Sequence, residues 1–137
     1  MGVSDVRRIR FHHGRDAARQ LGKGGANCPL ASEAKGVWPS PGFLLVRRTF
    51  ALPRGATDAR VYLGIDNDAL VTVNGTVLGS DWILHENCPV RDDFVVDVPR
   101  ALLNRQGANV LAILAYDEGV ESWIDVRVVA DGSSPLR

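Results

Sequence analysis

The 137-residue sequence predicts an all-β fold, a two-sheet antiparallel sandwich of about eight strands with long loops. Three observations carry this. Val61, Leu63 and Ile65 alternate with Arg60, Tyr62 and Gly64, the period-two pattern of a half-buried strand. That strand meets a second, Leu70 to Val73, at an Asp66-Asn67-Asp68 turn. Asn74-Gly75 then leads into Val77-Leu78-Gly79, and both turn residues tolerate the positive φ of a type I′ hairpin.

The remaining elements follow in order. Val6 to Phe11 reads as a first strand, ended by His12-His13-Gly14, and Asp16 to Leu21 as a short helical turn broken by Gly22-Lys23-Gly24-Gly25. Residues 22–42 are rich in Gly, Pro and small side chains and read as a long irregular loop, pinned to the core by Leu30 and Trp38. In the strand Phe43 to Leu52, Leu44, Val46, Arg48 and Phe50 alternate with Leu45, Arg47, Thr49 and Ala51. Asp81 to Asp92 is a second irregular excursion, followed by a strand at Phe94–Val98. Pro99 opens a single helical turn through Leu103. Asn109–Tyr116 is an apolar, central strand and Trp123–Ala130 the last one. Phe50, Leu63, Val73, Val96, Leu111 and Ile113 are the expected core. The domain layout is a strand and irregular arm over 1–42, a sandwich over 43–130 and a flexible tail over 131–137.

Composition narrows the functions. The net charge is zero at 45% apolar content, so no overall field draws the chain to nucleic acid or an anionic membrane. Arg7-Arg8 and Arg47-Arg48 lie in alternating, strand-like sequence and read as solvated strand faces. The start at Met1-Gly2-Val3 has no apolar signal region, and no apolar run reaches the ~20 residues of a membrane helix. The expectation is a soluble protein, placed in a virion or outside a cell through lysis. Cys28 and Cys88 occur in similar Asn-Cys-Pro contexts. One disulfide between them would close a loop of about 60 residues, adding roughly 4 kcal/mol in the chain-entropy model; two free thiols is the alternative.

Several ordered pieces resemble a known family: Trp38, Val46-Arg47-Arg48-Thr49-Phe50-Ala51-Leu52-Pro53, Ala59 to Asn67, Val71-Thr72-Val73-Asn74-Gly75, Val96-Asp97-Val98, and Leu102-Leu103 with Gly107-Ala108-Asn109-Val110-Leu111-Ala112. Together they resemble the galactose-binding-domain-like jelly-roll sandwich, in the form found as the sugar-binding domain of family 2 glycoside hydrolases and α-L-rhamnosidases. The resemblance implies a scaffold more than a site.

Catalysis is not expected. Glycosidases need paired carboxylates at a set separation, and Asp66, Asp68, Asp117, Glu118 and Asp125 sit where sandwiches commonly carry acids. No G-x-S-x-G nucleophile elbow occurs. A zinc set of His85, Cys88, Cys28 and His12 or His13 is loose in spacing, and no metal site or cofactor is expected. Structural calcium, held by a loop carboxylate such as Asp16 or Asp125, is compatible with the resemblance. Sugar recognition requires an aromatic face for C–H groups and planar polar groups for hydroxyls. The candidates are Trp82 and Trp123 for the former and Asp81, His85, Asp117 and Glu118 for the latter; the alternative for both tryptophans is packing.

The expected function is a non-catalytic carbohydrate or cell-surface recognition module. A structural virion protein, such as a phage minor tail or capsid-decoration component, is the alternative, and an excised domain of a larger enzyme a third reading. Partners would be a glycan or a protein subunit of a larger assembly, including a second copy of the chain, with no nucleic acid and no membrane insertion.

Overall fold

A computed structural model describes residues 5–9, 20–23, 38, 41–81, 88, 90–119 and 122–132. Its strands are β1 (Asp5–Ile9), β2 (Gln20–Lys23), β3 (Gly42–Ala51), β4 (Ala56–Asp66), β5 (Asp68–Val73), β6 (Thr76–Asp81), β7 (Phe94–Val98), β8 (Ala108–Asp117) and β9 (Ser122–Gly132). One 3-10 turn, Arg100–Leu102, follows β7. The strands form two antiparallel sheets. One runs β1-β9-β4-β7, with β2 also on β9; the other runs β3-β8-β5-β6. Strand β4 holds one edge of β9 from Trp123 to Gly132. The opposite edge is shared by β2, against residues 122–125, and β1, against residues 128–132.

The alternation read from the sequence sets the inner faces. Val61, Leu63 and Ile65 of β4 and Ile124 and Val128 of β9 meet Phe50 of β3, Val71 and Val73 of β5, and Leu111, Ile113 and Ala115 of β8 in one core. All six expected core residues are buried, as is Trp38, which donates from Nε1 to the Gly42 carbonyl at 3.2 Å. Strand β8 is interior to its sheet, as its apolar sequence suggested.

Two elements differ from expectation. Gln20–Lys23 is a strand, where a helical turn ending in a glycine break was expected. Glycine weakens a strand interior, but pairing with the long β9 supplies the hydrogen bonds that local preference does not. The last strand also continues to Gly132, where β1 and β4 both pair with it, so Asp131 and Gly132 belong to the sheet rather than the tail.

At the hairpin, Asn74 and Gly75 take φ of 49° and 81°, the geometry the type I′ turn demands. Asn74 also ties the hairpin to a neighbour. Its Nδ2 donates to Leu102 O at 2.6 Å and Asn109 Oδ1 at 3.0 Å, and its Oδ1 accepts from Val110 N at 2.8 Å. Asn109, fully buried, accepts from Asn104 N at 2.7 Å and donates to Asn104 O at 3.0 Å. Asn109 thus closes the 104–109 loop and holds the hairpin as well.

Candidate functional site

Strand register gathers the candidate residues at one end of the sandwich. Asp66 pairs with Trp123, Asp68 with Tyr116, Gly42 with Asp117 and Ala69 with Asp81. The β4–β5 turn, the β8–β9 connection and the end of β6 therefore share that end, although Asp81 and Asp117 lie far apart in sequence. Asn67 stitches it together: its backbone N donates to Tyr116 O at 3.1 Å and its Oδ1 accepts from Glu118 N at 2.8 Å. The Ser122 hydroxyl donates to Trp38 O at 2.5 Å. The Asp66–Asn67 peptide is cis.

Most of this polar cluster is closed to solvent. Asp66, Asn67, Asp68, Asp117 and Ser122 are all buried. Glu118 is exposed, and it follows β8 at the corner beside Gly42.

Trp123 is also fully buried, but not in the core between the sheets. It lies on the outer face of the five-stranded sheet with Asp125 and Arg127, beside Gly64 and Tyr62 of β4. The segment around Val90–Asp92 covers it. A Cβ on Gly64 would stand 2.6 Å from Val90 O and 2.7 Å from the Trp123 ring, so only glycine admits this approach. The Arg91 guanidinium lies 5.6 Å from the Trp123 ring centroid and pairs with Asp125 at 3.0 Å. Arg127 forks onto Asp92 with two 2.7 Å bonds and stacks 4.2 Å from the Tyr62 centroid. The Asp92 carboxylate raises the Arg127 pKa above the ordinary arginine value by hydrogen bonding, against a smaller desolvation effect. Cys88, just before this cover, is disulfide-bonded. Its sulfur is thus no thiolate ligand, which removes it from the zinc set considered above. Cys28 lies outside the described residues.

The sequence-derived binding set thus divides. Asp117 and Trp123 are buried and offer no surface to a ligand; Glu118 is exposed; Asp81 closes β6 at the same end. Trp82 and His85, like Asp16, His12 and His13, lie outside the described residues. Asp125 is engaged by Arg91. Among the described residues, no three His, Cys, Asp or Glu side chains are placed to hold a metal ion, and no helix is long and apolar enough to cross a membrane.

A surface that the sequence reading passed over is the outer face of the four-stranded sheet. Phe43 and Leu45 are 66% and 69% exposed, Leu114 is exposed beside Leu45, and Val77 is exposed on β6 at the far edge of the sheet. Phe43 packs on Tyr116 at a centroid distance of 4.6 Å. The signal was present: the outward row of β3 opens with Phe43 and Leu45 before turning polar at Arg47 and Thr49, so that half of the strand is apolar on both faces.

No family model and no curated protein matches the chain. Among solved structures, it is similar to a glycosyl hydrolase family 2 member from Bacteroides cellulosilyticus DSM 14838, with a TM-score of 0.45 and 17% identity. The match covers 88% of this chain and 16% of that one.

Proposed function

We propose that this chain is a non-catalytic recognition module that binds a glycan at the end of the sandwich where β6 closes. The observation that carries this is the convergence of the β4–β5 turn, the β8–β9 connection and Asp81 at one end. A rigid end fixed by Asn67 and Ser122 suits a preorganised site built on loops. Asp81, Trp82 and His85 are the proposed contacts, with Trp82 as the aromatic platform. A hydrolytic role fits poorly, because Asp66, Asp68 and Asp117 are sealed from any substrate. The test is a glycan array with the folded protein, with and without calcium, beside Trp82→Ala and Trp123→Ala. Saturable binding lost in a folded Trp82→Ala variant supports the reading; a folded protein that binds no glycan overturns it.

The exposed apolar face favours a second reading, a structural component of an assembly such as a virion. Aliphatic side chains such as Leu45 and Leu114 suit a protein surface better than sugar hydroxyls.

A further inference from the structure

We propose that the outer face of the four-stranded sheet is a self-association surface, on which a second copy of this chain docks about a two-fold axis through the Leu45–Leu114 row. Cross-strand register arranges the face in rows. Across β3, β8 and β5 the rows are Phe43, Tyr116 and the buried Asp68; Leu45, Leu114 and Leu70; and Arg47, Ala112 and Thr72. The two apolar rows are flanked by opposite charges: Arg47 on one side, and Glu118 beyond Phe43–Tyr116 on the other. Both are exposed, and neither has an ion pair among the described residues.

That layout is self-complementary. At about 3.4 Å per residue, Arg47 lies roughly 7 Å from the Leu45 row, and Glu118 roughly 13 Å from it in the opposite direction. A two-fold axis at that row sets Leu45 and Leu114 against their own copies. It carries the partner subunit's Arg47 over the Phe43–Tyr116 pair, from which a long guanidinium side chain reaches Glu118. The contact is then a cation on an aromatic pair plus an ion pair, made twice by symmetry. A partner of one charge sign would compensate either Arg47 or Glu118 and leave the other facing its like; a second copy compensates both. The zero net charge of the chain adds no overall repulsion.

The face sets the strength. Four strands at about 4.8 Å spacing and the rows from Phe43 to Thr49 span about 14 by 20 Å, well under the ~800 Å² per partner of a standard interface. The dimer should therefore be reversible, with a micromolar or weaker dissociation constant.

The test is sedimentation velocity on the whole chain from about 1 to 500 µM, with far-UV circular dichroism as the folding check. Four proteins are compared: wild type, Arg47→Glu, Glu118→Arg and the double swap. The expected result is a concentration-dependent dimer, weakened at least about tenfold by each single swap and restored to within about threefold by the double swap. A folded wild type that stays monomeric throughout, or a dimer that ignores the single swaps or is not rescued by the double one, overturns the proposal. Glycan binding is read on dilute monomer, so the outcomes for the two surfaces are independent.

Discussion

Asn74 donates to the side chain of Asn109 across 35 residues of chain, Nδ2 to Oδ1 at 3.0 Å. The Asn109 amide also bonds both the backbone N and O of Asn104. Replacing Asn109, itself fully buried, with Ala removes the partner of all three part-buried bonds. The expected loss is about 2–4 kcal/mol of unfolding free energy, measured by urea denaturation. A loss under about 0.5 kcal/mol would show that water replaces the amide without cost.

Gly64→Ala tests the cover over Trp123. The new Cβ meets a backbone oxygen, which cannot swing aside as a side-chain tip could. The expected result is a destabilisation of about 1–3 kcal/mol and increased acrylamide quenching of tryptophan as the Val90–Asp92 segment lifts. Gly79→Ala is the control, because its Cβ would stand 3.4 Å from the Phe94 ring, an ordinary contact.

These two sites show what the sequence could and could not convey. Period-two alternation placed Val61, Leu63 and Ile65 inward without ambiguity, and the demand for positive φ fixed the Asn74-Gly75 turn. Both are local properties. Gly64, by contrast, reads as an ordinary outward position, and Trp123 as core or ligand platform. Its burial on the outer face depends on a segment some 30 residues earlier, held by Arg91 and Arg127. Strand β2 was illegible for the same reason: its identity comes from β9, about 100 residues away. At the candidate site, the turn residues Asp66 to Asp68 were readable, but their enclosure is a property of packing.

Turn strain distinguishes two further glycines. Gly75 has a φ of 81° and open space around its Cα, whereas Gly119 has equal space and no such φ. Gly75→Ala should cost about 1–2 kcal/mol and Gly119→Ala close to nothing in thermal or urea unfolding. Equal effects would show that the hairpin adopts another turn type.

Arg100 forks onto Asp58 at 2.5 and 2.9 Å. That hydrogen bonding, and then the Thr57 hydroxyl, hold the Asp58 carboxyl below the ordinary aspartate range. A depressed folded-state pKa means the contribution is present above the unfolded value, about 3.9, and fades as pH falls through the folded one. Asp58→Asn should therefore be slightly less stable than wild type at neutral pH, with the two unfolding curves converging in acid. A gap that persists well below pH ~3 would assign the effect to something other than charge.

Arg127→Lys should loosen the cover over the five-stranded sheet, because an ammonium cannot make the two parallel bonds to Asp92 or stack as flatly on Tyr62. The expected result is a stability loss of about 1 kcal/mol and faster limited proteolysis between β6 and β7. Unchanged cleavage would show that Arg91 and the Cys88 disulfide hold that stretch by themselves.

Strand β9 receives β1, β2 and β4, and it is the last of the nine strands among the described residues. On a ribosome, β1 and β2 emerge with no strand to pair with, and β4 can pair only with β7. The four-stranded sheet, which needs only β3, β5, β6 and β8, can be assembled while its counterpart has no more than the β4–β7 pair. Synthesis thus sets an order on assembly: one half of the sandwich is ready early, and the other is completed only when the segment through Gly132 is released. Until then the inner face of the early sheet is open, and it is in that interval that the nascent chain is most in need of a chaperone.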